Sequence, residues 1–239
     1  MEMNNNLIII IAIASIAILL IAAIVILKLT GNREKKDTFI ITGICDSGKT
    51  SLYLRLRNDK VMETHTSITE NEGRFPLAQE DEEKVFHVID FPGHYKLRYK
   101  YQDFTPITKG VIFVIDSATF IKNEREVTEY LYEILANKYI SENEVSILIA
   151  CNKQDYLIAL PKERIKTALE NEINNLRSTR AAGVEEQDED NVDDFLGYEN
   201  EAFKFEHLPN QISFIECELK SGNANSGISE IKDWMVENF

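Results

Sequence analysis

Hydrophobic residues occur along the chain in one long run near the start and in several short runs farther on. Residues 7–27 carry no charge, and Ser15 supplies their only hydroxyl group. As a helix rising about 1.5 Å per residue, this segment would be about 31 Å long, close to the hydrocarbon thickness of a bilayer. The long run therefore predicts a transmembrane helix over residues 7–27.

A cleaved signal peptide is the alternative for this segment, but it would begin with basic residues and have a shorter apolar core. Residues 1–6 contain no basic side chain, and basic residues instead follow the run, at Lys28, Arg33, Lys35 and Lys36. By the positive-inside rule, they place the C-terminal side of the helix in the cytosol. We therefore expect a single-pass protein with three further parts: a short lumenal or extracellular N-terminus at 1–6, a basic juxtamembrane linker at 28–36 and a cytosolic domain at 37–239.

The short runs predict buried strands, because near-continuous apolar segments of this length are typical of a parallel sheet covered on both faces. They lie at residues 37–42, 84–90, 110–116, 145–151 and 212–217. Helical patterns occur between or after them at roughly 49–58, 123–137, 161–180 and 226–239. This alternation predicts an α/β fold with a doubly wound, mostly parallel sheet, in which ligands bind at the carboxyl ends of the strands.

The charge of the chain excludes one class of function. Lys and Arg number 26 against 40 Asp and Glu, giving a formal charge of −14, whereas a direct nucleic-acid binder needs a basic face. Residues 181–201 are strongly acidic and short of apolar side chains, so we expect a mobile surface insertion there, or alternatively an acidic arm for a basic partner. The three cysteines, Cys45, Cys151 and Cys217, lack metal or disulfide spacing and are expected to be reduced thiols.

A phosphate-binding loop is predicted between the first strand and the first helix of the domain. Residues 43–50 read G-I-C-D-S-G-K-T and match the G-x-x-x-x-G-K-[ST] pattern. Backbone N–H groups and the helix N-terminus would bind the phosphates, Lys49 would reach the β- and γ-phosphates, and the Thr50 hydroxyl would bind Mg²⁺. The candidate phosphate-binding residues are Gly43, Cys45, Asp46, Ser47, Gly48, Lys49, Thr50 and Ser51.

Two further motifs follow later strands and complete a guanine nucleotide site. Asp90-Phe-Pro-Gly93 ends the second strand, so that Asp90 is a candidate to hold Mg²⁺ through water and Gly93 to contact a γ-phosphate. Asn152-Lys153-Gln154-Asp155 follows the fourth strand. The Asp155 carboxylate can accept hydrogen bonds from guanine N1–H and the exocyclic amine, which adenine does not offer, so we expect GTP and GDP as ligands.

These motifs resemble those of the small Ras/Arf-type GTPases and, among them, the beta subunits of the signal recognition particle receptor. The likeness covers nearly the whole chain, including the N-terminal span, residues 43–50, 66–69 and 90–94. It is most specific at 176–180, 203–209 and 214–217, which are not general GTPase motifs. The resemblance implies a protein of the endoplasmic reticulum membrane whose GTP-bound form holds the receptor alpha subunit there. It would serve co-translational protein targeting, with only indirect contact with the signal recognition particle and the ribosome.

The resemblance also implies roles for single residues. Thr66 corresponds to the switch threonine that meets Mg²⁺ and the γ-phosphate, and Thr69 is the alternative. The stretch 216–220 corresponds to a second base-contacting loop that includes Cys217, in which the backbone N–H of Leu219 would reach guanine O6. The loop departs from the family pattern E-C-S-A-K, because Glu218 and Leu219 replace Ser and Ala.

His94 stands where many small GTPases carry a glutamine that orients the attacking water. It is the candidate catalytic residue, with packing away from the site as the alternative. Because no arginine stands out as a finger supplied in cis, we expect slow intrinsic hydrolysis, on the order of 10⁻⁴ per second.

Two other functions are alternatives to the receptor subunit. An Arf-like regulatory GTPase of membrane trafficking would favour a lipidation motif, but Glu2 follows Met1 and the chain ends without a C-a-a-X box. A structural tether with an inactive pocket is disfavoured by the intact Lys49, Thr50, Asp90 and Asp155.

Overall fold

The computed structural model describes residues 15–16, 36–59, 67, 69–77, 84–184, 195–220 and 227–239. The chain divides into two units, residues 1–35 and 36–239. Of the first unit only Ser15 and Ile16 are described, and they are helical, so the predicted transmembrane helix otherwise lies outside the described residues. In the part of the chain that is described, none of the helices has the length and apolar character needed to cross a bilayer.

The second unit is an α/β fold built on a six-stranded sheet, as the alternating pattern predicts. Its strands are β1 Thr38–Thr42, β2 Asn71–Pro76, β3 Val85–Asp90, β4 Thr108–Asp116, β5 Ser146–Asn152 and β6 Ile212–Glu216. They lie in the order β2-β3-β1-β4-β5-β6, and every neighbouring pair is parallel except β2 with β3. The mostly parallel sheet is therefore confirmed.

Helices cover both faces of this sheet. They are α1 Lys49–Asn58, α2 Phe120–Leu135, α3 Lys138–Glu142, α4 Lys162–Val184 and α5 Ile228–Glu237, with 3₁₀ helices at Tyr95–Ile107 and Phe205–His207. Alternate residues of β1 enter two separate cores: Ile40 packs on the side of α2 and α4, while Phe39 and Ile41 pack on the side of α1 and α5. Burial on both faces explains why the central strands are apolar almost throughout.

Strand β2 was missed in the sequence because its composition is poor in strand-forming residues. It contains Gly73 and ends at Pro76, both disfavoured inside sheets but tolerated at an edge. A Cβ atom on Gly73 would lie 2.5 Å from the Tyr53 hydroxyl, so glycine permits this close packing against α1. Two further contacts hold the strand: Glu72 Oε1 lies within hydrogen-bond distance of His87 Nε2, at 2.7 Å, and Arg74 forms an ion pair with Asp37 at 2.9 Å.

Both described ends of the predicted insertion at 181–201 belong to folded structure. Helix α4 continues to Val184, and the buried Arg177 donates to three backbone carbonyls of the returning segment at 2.9, 3.2 and 2.6 Å, those of Leu196, Tyr198 and Glu201. Residues 195–201 are thus attached to α4, and the mobile insertion expected from composition stays a prediction. The acidic residues between 185 and 194 lie outside the described part.

Candidate nucleotide-binding site

A cavity of about 370 Å³ lies at the carboxyl ends of the parallel strands, where four loops meet. This is the position expected for a ligand in an open α/β sheet. The lining residues come from the loops after β1, β3, β5 and β6, from the start of α1 and from the segment before β2: Cys45, Asp46, Gly48, Lys49, Thr50, Ser51, Ser67, Phe91, Pro92, Gly93, Asn152, Lys153, Asp155, Leu219 and Lys220. Most of the predicted binding residues are therefore brought together, whereas Gly43, Ser47 and Cys217 are buried and are not among the described lining residues.

The loop between β1 and α1 depends on two glycines. Gly43 has φ +139°, and a Cβ there would lie 2.3 Å from the Val114 carbonyl oxygen. Gly48 has φ +102° and is the N-cap of α1, so the first N–H groups of that helix begin at the cavity. The buried Ser47 Oγ has no hydrogen-bond partner among the described residues. This combination of a glycine-bent loop and a helix N-terminus is suited to phosphate oxygens.

Lys49 places a buried positive charge in this loop. Its Nζ atom donates to the Ile44 carbonyl at 2.6 Å, and only 6% of the residue is exposed. Burial lowers the pKa of Lys49, and the nearby Asp90 only partly opposes that effect. A cation that is desolvated and bonded to a neutral carbonyl is placed to bind an anion such as a phosphate.

Thr50 and Asp90 form a compact oxygen cluster beside the lysine. The Thr50 hydroxyl donates to Asp90 Oδ2 at 2.7 Å, and Asn71 Nδ2 donates to the same oxygen at 2.9 Å. Asp90 Oδ1 is buried and has no hydrogen-bond partner in the described part of the chain. Burial raises the pKa of Asp90, against the lowering effects of Thr50, Asn71 and Lys49. A spare carboxylate oxygen next to a hydroxyl fits the all-oxygen environment that Mg²⁺ prefers.

The switch threonine predicted at Thr66 lies outside the described residues, so that prediction stays open. Thr69, the alternative, is exposed and is not among the described lining residues. The hydroxyl that the structure does place here is Ser67 Oγ, 3.3 Å from Thr50 Oγ1 and 3.2 Å from Asn71 Nδ2. Ser67 was missed, although it belongs to the same T-S-I-T stretch.

Gly93 lies directly against the phosphate-binding loop. A Cβ at this position would be 2.6 Å from both the Cys45 backbone nitrogen and Lys49 Nζ, so any larger residue would displace the loop. His94, by contrast, is exposed and accepts a hydrogen bond from the Lys96 N–H at 3.3 Å. Its ring stacks on Tyr95 with centroids 4.8 Å apart, and it is not among the described lining residues. The catalytic role predicted for His94 stays a prediction.

The opposite end of the cavity is formed by residues 152–155. Asn152 is buried and donates to the Ser47 carbonyl at 2.8 Å, which ties this motif to the phosphate-binding loop. Lys153 Nζ lies 2.7 Å from the Asp116 carboxylate. Asp155 lines the cavity and is exposed, so its carboxylate is accessible to a base.

The loop after β6 completes this end in a way that the sequence did not predict. The Leu219 N–H donates to Asn152 Oδ1 at 3.3 Å, and its contact with guanine O6 stays a prediction. The Cys217 carbonyl accepts from the Gln154 N–H at 3.3 Å, and its thiol is buried, which raises its pKa. Both residues therefore support the base-binding motif, and Leu219 also lines the cavity.

Among the described residues, the sequence did not assign a site role to the lining residues Ser67, Phe91, Pro92 and Lys220, or to Asn71 and Asp116 beside them. Asp116 had a usable signal, because it ends the apolar run of β4 as Asp90 ends that of β3. Asn71 had no such sequence signal, because strand β2, to which it belongs, was not predicted.

Comparisons with known proteins agree with this geometry. A family model described as signal recognition particle receptor beta subunit matches residues 34–212. The mouse signal recognition particle receptor subunit beta is 35% identical over 233 residues, which cover 95% of this chain and 86% of the mouse protein.

Solved structures give the same result. A chain from the structure of the mammalian signal recognition particle receptor superposes with a TM-score of 0.73 and 33% identity, covering 84% of this chain and 100% of that chain. A signal recognition particle receptor beta subunit with GDP from Chaetomium thermophilum gives a TM-score of 0.66 at 25% identity, covering 86% of this chain and 98% of that chain.

Proposed function

Because the chain belongs to the family of signal recognition particle receptor beta subunits, which are small GTPases of that receptor, we propose that it is the subunit that holds the receptor alpha subunit at the endoplasmic reticulum membrane. The GTP-bound form would bind the alpha subunit, and the GDP-bound form would bind it more weakly. Contact with the signal recognition particle and the ribosome would be indirect and would serve co-translational protein targeting.

The observation that supports this proposal most strongly is the close packing of Gly93 against the phosphate-binding loop. Gly93 lies against Lys49 and Cys45 so closely that a side chain would not fit. A γ-phosphate bound by Lys49 would therefore be within reach of the loop after β3, which could respond to its presence. A nucleotide-dependent change in this loop is the physical basis for a partner that distinguishes GTP from GDP.

Mg²⁺ is part of the proposed ligand set. Thr50 and Asp90 would hold it, with Ser67 and Asn71 beside them, because these residues supply the hydroxyl and the spare carboxylate oxygen. The ion would neutralise part of the phosphate charge. Guanine selectivity is assigned to Asp155, which lines the other end of the cavity.

A switch role is proposed to dominate over turnover. The His94 imidazole accepts a hydrogen bond from the Lys96 N–H and stacks on Tyr95, so its ring is held by neighbouring residues of its own segment. This arrangement supports slow intrinsic hydrolysis, which leaves the GTP-bound form available for partner binding.

Attachment to the membrane is proposed from the sequence alone. The uncharged run at 7–27 is long enough to span a bilayer, and the basic residues after it favour a cytosolic GTPase domain and a lumenal N-terminus.

A pull-down tests the proposal directly. The full-length protein, tagged and extracted in detergent, is loaded with a nonhydrolysable GTP analogue or with GDP, and its bound partners are identified by mass spectrometry. We expect the receptor alpha subunit to be recovered mainly with the GTP analogue. Equal recovery with both nucleotides would contradict GTP dependence, and the absence of the alpha subunit from both samples would contradict the receptor role.

A further inference from the structure

Arg98 connects the glycine that faces the γ-phosphate site to a helix of the domain core. It lies in the 3₁₀ helix Tyr95–Ile107, and its Nε atom donates to the Gly93 carbonyl at 3.1 Å. A terminal nitrogen of the same guanidinium forms an ion pair with Glu126 on α2. Only 12% of the Arg98 side chain is exposed. One side chain thus holds both the loop after β3 and the helix behind it.

The connection continues from α2 to the phosphate-binding loop. The Arg98 guanidinium lies over the Tyr130 ring, 4.7 Å from its centroid. The buried Tyr130 hydroxyl is hydrogen-bonded to the Thr42 hydroxyl, and Thr42 immediately precedes Gly43. Arg98 is therefore fixed against an element that is itself bonded to the end of β1.

A glycine needs such a restraint more than other residues do. Gly93 has no side chain to limit its backbone torsions, so its peptide groups can rotate at little energetic cost unless a neighbour holds them. A charge-assisted hydrogen bond to its carbonyl fixes the backbone that follows its N–H group. Because Arg98 is mostly buried and bound on two sides, it can provide that restraint.

We propose that Arg98 is a positioning residue for triphosphate recognition, and that it makes the site selective for GTP over GDP by holding Gly93 against the phosphate-binding loop through its bonds to Gly93 and Glu126. This inference rests on the proposed GTP-binding function. GDP lacks the γ-phosphate that the Gly93 loop would contact, so GDP binding does not depend on Arg98.

The experiment measures affinities of the full-length protein, purified in detergent, for a nonhydrolysable GTP analogue and for GDP by calorimetry with Mg²⁺. Arg98→Ala is expected to lower affinity for the GTP analogue by about tenfold, the effect of losing one charge-assisted hydrogen bond, and to change GDP affinity by less than about twofold. Glu126→Gln is expected to act in the same direction but less strongly, because Arg98 keeps its bond to Gly93.

The matched control is Glu129→Gln on the same helix. Glu129 also pairs with an arginine, Arg125, at 2.8 Å, but that arginine side chain is 73% exposed, whereas Arg98 is 12% exposed and is bonded to Gly93. The GTP-to-GDP affinity ratio should stay unchanged in this variant, and circular dichroism shows whether each variant is folded.

Equal losses for both nucleotides in Arg98→Ala would show a merely structural role and would overturn the proposal, as would unchanged affinities for both. If Arg98→Ala is unfolded, the ratio in Glu126→Gln decides in the same way. Failure of the underlying function would look different, because the wild-type protein would then bind neither nucleotide.

Discussion

The base end of the cavity is held by hydrogen bonds between loops, whereas the phosphate end gathers charged groups that have few protein partners. At the base end, Asn152 binds the phosphate-loop carbonyl of Ser47 and the Leu219 N–H, and Lys153 binds Asp116. Gln154 donates to the Ser117 hydroxyl and the Leu160 carbonyl at 3.0 and 2.9 Å. This network fixes the loop that carries Asp155.

At the phosphate end, the corresponding groups are incompletely compensated. Lys49 has a lowered pKa because it is buried, and its hydrogen bond goes to a neutral carbonyl. Asp90 keeps one buried carboxylate oxygen without a partner among the described residues. Such groups weaken the fold, and phosphate and Mg²⁺ would satisfy them.

This contrast indicates that the two ends of the site have different roles in nucleotide binding. A preorganised base end favours tight and selective binding of guanine in either nucleotide state. Under the proposed function, a phosphate end whose charged groups lack partners would make the conformation of the surrounding loops depend on which nucleotide is bound. Substitutions at the two ends should therefore have different consequences for stability and for binding.

The largest effect is expected for Asp155→Asn at the base end. Loss of the carboxylate removes two hydrogen bonds from guanine, so GTP affinity should fall by about a thousandfold. Xanthosine triphosphate, which carries an oxygen in place of the exocyclic amine, should bind the variant better than GTP does. Competition calorimetry with the two nucleotides measures this reversal, and retained preference for guanine would contradict the assignment of Asp155.

A smaller effect on binding is expected for Lys49→Met at the phosphate end. Loss of the ammonium group should weaken binding of GTP and GDP by about a hundredfold. The nucleotide-free variant should be at least as resistant to heat as the wild type, because a lysine whose pKa is lowered by burial is destabilised in its charged form. Calorimetric titration and thermal melts measure the two quantities. A lower melting temperature of the nucleotide-free variant would contradict the inference that the buried charge of Lys49 destabilises the fold when no nucleotide is bound.

The sequence predicts the central part of the fold because its signals are local. The apolar runs of β1, β3, β4, β5 and β6 correspond closely to the observed strands, and α1 has the predicted bounds. Gly43, Gly48, Lys49 and Thr50 follow a fixed spacing imposed by the turn from strand to helix, so the motif determines their geometry. Edge strand β2 depends instead on contacts with distant residues, including His87 and Tyr53.

The same distinction explains why some contacts at the site gave no sequence signal. The Leu219 N–H binds Asn152, which is 67 positions away in the sequence, and no local pattern announces that bond. Arg98 gave no motif signal, because its role arises from its distance to Gly93 and to a helix formed by later residues. Such roles depend on tertiary packing and become visible only when the elements are placed together.

The smallest effect is expected for Asp116→Asn, which tests how much the base-end network stabilises the fold. Asp116 accepts hydrogen bonds from Lys153 at 2.7 Å, from the Thr119 hydroxyl at 2.7 Å and from the Ala118 N–H at 3.0 Å. Burial alone would raise the pKa of Asp116, but these bonds outweigh it, so the pKa lies below its ordinary value of 3.8.

A lowered pKa means that the ionised carboxylate is favoured in the folded state. Its stabilisation is fully present above the ordinary value and is lost as the pH falls through the lower folded-state pKa. With allowance for solvent screening, Asp116→Asn should reduce the free energy of unfolding by about 1 kcal/mol at pH 7. Urea titrations at several pH values should show this difference shrinking below about pH 4. A difference that stays constant down to acid pH would mean that the Asp116 charge adds nothing to the base-end network.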